Sequence, residues 1–274
     1  MNIDKTYFIG PSFYSLVIRG IGMSTRFFFI IMLGKLFTIE EFGIYSLIQS
    51  SLILGVYVVG LEIYSYTNRE IPKHDISGIR NLIASQIIIH LLMYIIFFFI
   101  FFFIYYLGII HTDYFFTIFI IIILDHFIWE ISRIVIAMQF PIYGNIIFVS
   151  RTIFLTIIFL YFSYLDKEFA SISNLLEYWI YGLLCSFALT ILIMKKVQIL
   201  SLKITKFYID NIKKILLGGF VFFISSFLNQ LSNHIYRFML YYFHSIEDAG
   251  IFAYYQNINH LLLVFISTAF VMIY

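Results

Sequence analysis

Long apolar runs alternate with short polar connections along almost the whole chain. A bilayer-crossing helix needs about 20 mostly apolar residues. Eight segments meet that length, at 11–35, 43–66, 82–107, 114–138, 142–164, 174–194, 215–241 and 250–273. Barrel strands would be about ten residues long with alternating polarity, which these runs are not. The pattern predicts an all-α integral membrane protein of about eight transmembrane helices. Pro11 opens the first helix, where a missing N–H costs little. Pro141 and Gly144 punctuate the turn between spans four and five, and only the connection 195–214 is long.

A second pattern is superposed on the first. Ile39-Glu40-Glu41-Phe42-Gly43-Ile44-Tyr45, followed by Gln49, recurs 207 positions later as Ile246-Glu247-Asp248-Ala249-Gly250-Ile251-Phe252, followed by Gln256. Met32 and Met239 share the register, as do Leu54 and Leu261. Span one pairs with span seven and span two with span eight, in the same orientation. Internal repeats of this parallel kind, related by an axis along the membrane normal, mark two-lobed transporters. The expected organisation is a six-helix N-lobe over 1–194 and a basic, amphipathic cytoplasmic linker over 195–214. The first two helices of a C-lobe follow over 215–274, and four further helices of a six-plus-six bundle are expected beyond Tyr274.

Composition narrows the class. The chain is 62% hydrophobic and 12% charged, outside the range of soluble globular domains. A net charge of +2 gives no reason to expect nucleic acid. Cys185 stands alone, so neither a disulfide framework nor a thiolate metal site is expected, and no motif calls for a cofactor. The first apolar segment carries Arg19 and Arg26 without a small-residue cleavage site, and reads as a retained span rather than a signal peptide. Lys5, Arg69, Lys73, Arg80 and the lysines of 195–214 fall on one side of the predicted topology. Lys35 and Lys167 face them, among Glu40, Glu41, Asp113, Asp166, Glu168, Glu247 and Asp248. Cytoplasmic connections carry the excess of Lys and Arg, so the amino terminus is expected in the cytoplasm.

Arginine at bilayer depth costs about 2.5–3.5 kcal/mol on the translocon insertion scale, and so needs a partner or a wet cavity. Five arginines fall inside the spans: Arg19, Arg26, Arg133, Arg151 and Arg237. Arg19 and Arg26 are seven residues apart and share one helix face. Span seven has its own stripe at Ser226, Gln230, Asn233 and Arg237. Under the repeat offset Arg19 falls on Ser226, Arg26 on Asn233 and Ile30 on Arg237, as for two helices facing one central cavity. Two readings stay open for Gln230 and Asn233, interhelical glue or cavity lining. Arg237 lies near a helix end and could instead snorkel to the interface. Gln49 and Gln256 lie two turns below the repeated glycines and are placed on the cavity too.

Span four differs. Glu130 and Arg133 can pair at i, i+3, and Asp125 can reach either Arg151 of span five or the arginine stripe of span one. These four are expected to form structural ion pairs, with ion coupling through Asp125 or Glu130 as the minor reading. His90 in span three has no companions and reads as a hydrogen-bonded interior histidine. The repeated acidic segment reads as a structural motif in which Glu caps the following helix.

The Arg-bearing first span, then Phe37-Thr38-Ile39-Glu40-Glu41-Phe42-Gly43-Ile44-Tyr45, then Gly60-Leu61-Glu62 leading to Asn68-Arg69-Glu70-Ile71, resembles bacterial polysaccharide flippases. These are the O-antigen and capsule-unit transporters of the multidrug/oligosaccharidyl-lipid/polysaccharide exporter superfamily, which also serve lipopolysaccharide synthesis. The resemblance implies about twelve spans and a place in the bacterial cytoplasmic membrane. It also implies export of an undecaprenyl-pyrophosphate-linked oligosaccharide by alternating access, with no enzymatic step. Its implied partners are that lipid-linked substrate, the bilayer, and the polysaccharide polymerase and chain-length machinery. The family's cationic cavity corresponds to Arg19 and Arg26 here.

Three other readings compete. A multidrug or cation antiporter would want carboxylates on the cavity face, where this chain has basic and neutral residues. A membrane polymerase or ligase would show a large external loop, and the external connections are about ten residues or shorter by these boundaries. A truncated, inactive product would share the fold without the function.

Overall fold

The computed structural model of this chain describes residues 6–106, 114–199 and 209–273. They form nine helices: α1 (Thr6–Leu36), α2 (Ile39–Gly60), α3 (Tyr64–Glu70), α4 (Ile76–Tyr106), α5 (Phe115–Ala137), α6 (Pro141–Leu165), α7 (Ile172–Lys196), α8 (Ile209–Phe243) and α9 (Ile246–Ile273). No strand occurs among the described residues. Among the described residues seven of the helices, α1, α2 and α4 to α8, are long and apolar enough to cross a membrane. The eighth expected span, 250–273, falls on α9, whose side chains from 260 onward lie outside the described residues. The all-α membrane fold read from hydropathy is therefore the observed one.

Helix α6 is the centre of the first bundle, packing on α1, α5 and α7. Fully buried Phe159 of α6 receives the edges of Phe29 and Phe37 from the α1 side, at 5.8 and 6.0 Å between centroids. Such edge-to-face contacts add to the area that each ring buries. Helix α4, by contrast, exposes Leu91, Leu92, Ile95, Ile96, Phe99 and Phe103, an apolar face suited to lipid. The α8–α9 pair joins the rest chiefly through α2, which packs on both.

Both repeated segments open their helices in the same way. The Thr38 hydroxyl accepts from the Glu41 backbone N–H, and the Glu41 carboxylate accepts from the Thr38 backbone N–H at 2.9 Å, a complete capping box. In the second copy the Asp248 backbone N–H donates to the Ser245 hydroxyl at 3.1 Å. The cap residues are thus Thr38 and Ser245, one position before the repeat read from the sequence. In the first copy the Glu41 side chain supports the cap rather than acting as the cap itself.

Span two is shorter than expected. The apolar run 43–66 suggests one continuous helix, but α2 stops at Gly60, and Leu61 and Glu62 take φ of 47° and 53°. Left-handed backbone costs a residue with a Cβ about 1–2 kcal/mol, so surrounding contacts must hold the break. Glu62 and Ile63 are buried there, and the Glu62 carboxylate accepts from the Ser65 hydroxyl. Helix α8 touches the same place: a Cβ on Gly219 would stand 2.9 Å from the Leu61 carbonyl oxygen. Helix α8 also begins at Ile209 instead of 215, so the end of the expected linker is helical. Residues 200–208, which carry most of its expected amphipathic character, lie outside the described residues.

Candidate functional site

The described residues enclose a cavity of about 400 Å³ between the α1–α7 bundle and the α8–α9 pair. Six of the seven residues expected on a cavity line this one: Arg26 from α1, Gln49 from α2, Gln230, Asn233 and Arg237 from α8, and Gln256 from α9. Arg19 does not. Its Nε donates to Asn145 Oδ1 at 2.8 Å, on the side of α1 that packs against α6, and it is absent from the lining. Seven residues rotate a helix only about 20° from eclipse but advance it roughly 10 Å along its axis, so Arg19 and Arg26 meet different neighbours.

Arg237 departs from the snorkelling alternative. It is 2% exposed, and its guanidinium donates five hydrogen bonds. The acceptors are Gln256 Oε1 at 3.1 Å, Gln49 Oε1 at 3.3 Å, Ser50 Oγ at 3.2 Å, Asn257 Oδ1 at 3.0 Å and the Ser46 carbonyl at 3.4 Å. All are neutral, and no carboxylate pairs with Arg237 among the described residues. Gln49 and Gln256 are repeat mates, and so are Ser50 and Asn257. Two symmetry-related pairs of side chains therefore converge on one arginine, whose own mate is the buried, apolar Ile30.

The repeated glycines meet beside this knot. A Cβ on Gly43 would collide with the Ile246 carbonyl oxygen, and one on Gly250 would stand 2.6 Å from the carbonyl of Ile39. Ile39 and Ile246 are themselves repeat mates, so α2 and α9 cross with the approximate two-fold relation of the repeat. The crossing is backbone to backbone, which residues with a Cβ could not reach.

The other wall comes from α5, α6 and α7. Asp125 Oδ1 accepts from Arg151 at 2.7 Å, and both line the cavity. The Arg151 guanidinium also lies 4.9 Å from the Phe148 ring centroid. Glu130 and Arg133 pair at 2.9 Å one turn along α5, away from this cavity. Arg26 is exposed and forms no ion pair or hydrogen bond among the described residues. Three arginines and one aspartate thus face a common space, with Arg26 the guanidinium left open to a ligand. Arginine holds its charge and offers the planar fork that suits phosphate oxygens.

Several lining residues gave no signal as such in the sequence. Both tryptophans of the chain, Trp129 and Trp179, border the cavity, as do Tyr45 and Tyr57. The Gln230 side chain donates to the Tyr57 hydroxyl at 3.3 Å. His90, expected to stand alone and hydrogen-bonded, instead lies against His126 of the next helix, with ring centroids 4.6 Å apart and planes tilted by 32°, and neither of its ring nitrogens has a hydrogen-bond partner among the described residues. That contact joins antiparallel helices α4 and α5, and no spacing within one span reveals it.

A family model described as polysaccharide biosynthesis protein matches residues 11–274. No curated protein and no solved structure matches the chain.

Proposed function

The chain belongs to the polysaccharide biosynthesis protein family, and from that premise we propose a transporter rather than an enzyme. It flips undecaprenyl-pyrophosphate-linked oligosaccharide units across the bacterial cytoplasmic membrane by alternating access, for O-antigen, capsule or related surface polysaccharide. In this reading α1–α7 form the N-lobe and α8–α9 belong to the C-lobe. The amino terminus is cytoplasmic, the Gly43–Gly250 crossing is the outer seal, and the polymerase and chain-length machinery act on the exported unit.

The observation that carries the proposal is the cavity lined by Arg26, Arg151 and Arg237 from three different helices. A pyrophosphate cannot enter hydrocarbon without losing its hydration, and guanidinium groups in a polar vestibule replace that hydration. About 400 Å³ lies within the range of pockets that bury small ligands, roughly 300–1,000 Å³. Such a space accommodates a headgroup while the polyprenyl chain remains in lipid. A cation antiporter would need a free carboxylate, whereas Asp125, the carboxylate on this lining, is held by Arg151.

In cells that depend on this protein for their surface polysaccharide, Arg26→Ala should lower export about tenfold or more, the worth of one charge-assisted phosphate contact. Arg26→Lys should retain more, since the charge remains. Surface polysaccharide is read by immunoblot against protein level, and an unchanged amount in Arg26→Ala contradicts the cavity's role.

A further inference from the structure

A second polar cluster lies buried between α4 and α5. Glu130 is its centre, 6% exposed. One carboxylate oxygen accepts from Gln86 Nε2 at 2.6 Å and the other from Arg133 at 2.9 Å. Two imidazoles stand just beyond hydrogen-bond range of the same carboxylate. His90 Nε2 is 3.8 Å from the oxygen that Gln86 holds, and His126 Nε2 is 3.9 Å from the oxygen that Arg133 holds. Among the described residues neither ring nitrogen of His90 has a hydrogen-bond partner, nor does His126 Nε2, although these atoms are buried. His126 Nδ1 lies 2.8 Å from the Tyr94 hydroxyl. With that hydroxyl donating, His126 carries its proton on Nε2, which lies 3.9 Å from the Glu130 carboxylate, too far for a hydrogen bond. Buried polar atoms are almost always satisfied, so two unpartnered imidazole nitrogens within 4 Å of one carboxylate require an explanation.

Among the described residues the charged neighbours that line this place with Glu130 are Arg133 and Glu62. Helix α2 presents Tyr57, the break after it Glu62, and α3 Tyr64, while α8 contributes Ile215 to the apolar cluster around Ile89. A cavity of about 10 Å³, room for roughly one water, is lined by Glu62, Tyr64, His126, Glu130 and Arg133. It gives water a place beside His126 and Glu130 from which a proton can be delivered.

We propose that His90, His126 and Glu130 form a buried binding site for a single proton, shared by the two imidazoles against the Glu130 carboxylate. A proton taken from water makes one ring an imidazolium, and its N–H closes the gap of nearly 4 Å into a charge-assisted hydrogen bond. Glu130 then divides its charge between imidazolium and guanidinium and holds Arg133 less tightly. Arg133 is the group that reports the change. Its guanidinium packs 3.3 Å from the centroid of Tyr64 on α3 and 4.1 Å from that of Trp129. Helix α3 in turn meets α8, where a Cβ on Gly218 would stand 2.5 Å from the Tyr66 ring. Protonation thus loosens the link from α5 through α3 to α8. The site stands whatever the larger cavity carries.

Trp129 provides the test, since Trp179 is the only other tryptophan. In Trp179→Phe protein in lipid nanodiscs, Trp129 emission should follow pH as a one-proton sigmoid when Arg133 moves over its ring. His90→Asn or His126→Asn should flatten or displace that curve, and Glu130→Gln should abolish it. Tyr94→Phe keeps the ring and removes only the hydroxyl beside His126, and should move the midpoint by about one pH unit, the worth of one hydrogen bond. A flat curve in the Trp179→Phe parent overturns the site. So does an unshifted curve in both asparagine variants. Should those variants fail to fold, the parent and Tyr94→Phe curves decide: identical midpoints overturn it and separated midpoints support it.

Discussion

Arg237→Leu is expected to destabilise the protein by about 3 kcal/mol and to loosen α8 from α2 and α9. Hydrogen bonds between helices in a membrane protein average roughly 0.6 kcal/mol each, and Arg237 makes five. An opposing term exists, because leucine removes the desolvation cost of a buried guanidinium. It does not prevail, since Gln49, Ser50, Gln256 and Asn257 would remain as polar groups facing an apolar side chain. Arg237→Lys should fall between, because an ammonium offers three donors from one point and cannot span acceptors on both α2 and α9. Thermal unfolding in detergent should order the proteins wild type, then Lys, then Leu. A leucine variant as stable as wild type would remove Arg237 from its role as the joint between the repeats.

Gly43→Val and Gly250→Val are expected to shift the balance away from the arrangement with α2 and α9 crossed, the closed one in the proposed reading, without disturbing the N-terminal bundle. At either position the new side chain meets a backbone carbonyl, of Ile246 or Ile39, and backbone cannot rotate out of the way. Overpacking of this kind costs about 1–3 kcal/mol, equivalent to roughly 5- to 150-fold in a closed-to-open ratio. Gln49, 7% exposed in the closed arrangement, reports the change. In a Cys185→Ser background, Gln49→Cys should react slowly with a membrane-impermeant maleimide and faster by that factor once either glycine is valine. Equal labelling rates would mean that the crossing of α2 and α9 does not seal the cavity.

Hydropathy and the repeat carried most of the architecture. Apolar runs longer than about 20 residues have few alternatives to a spanning helix, and the fixed offset of 207 pairs positions that the structure brings together between α2 and α9. Gln49 and Gln256 meet at Arg237 for that reason, and Ser50 with Asn257 could have been added from the same register. The break at Leu61 and Glu62 was hidden because no proline marks it and its left-handed backbone is imposed by contacts with Ile63 and α8. Arg19 was misplaced because a shared helix face does not specify which neighbour each turn will meet. The His90–His126 pair and the tryptophans on the cavity depend on how α4, α5 and α7 are set beside one another. That is a property of packing, which periodicity along one helix does not contain.

The most direct measurement is transbilayer movement of an undecaprenyl-pyrophosphate-linked oligosaccharide in proteoliposomes. Protection from a membrane-impermeant pyrophosphatase shows which leaflet holds the lipid. Wild-type protein should move the lipid between leaflets faster than protein-free vesicles do, and Arg26→Ala should slow that movement about tenfold, as the loss of one charge-assisted phosphate contact predicts. Movement no faster than in protein-free vesicles, or equally fast in wild type and Arg26→Ala, would contradict transport through the arginine-lined cavity.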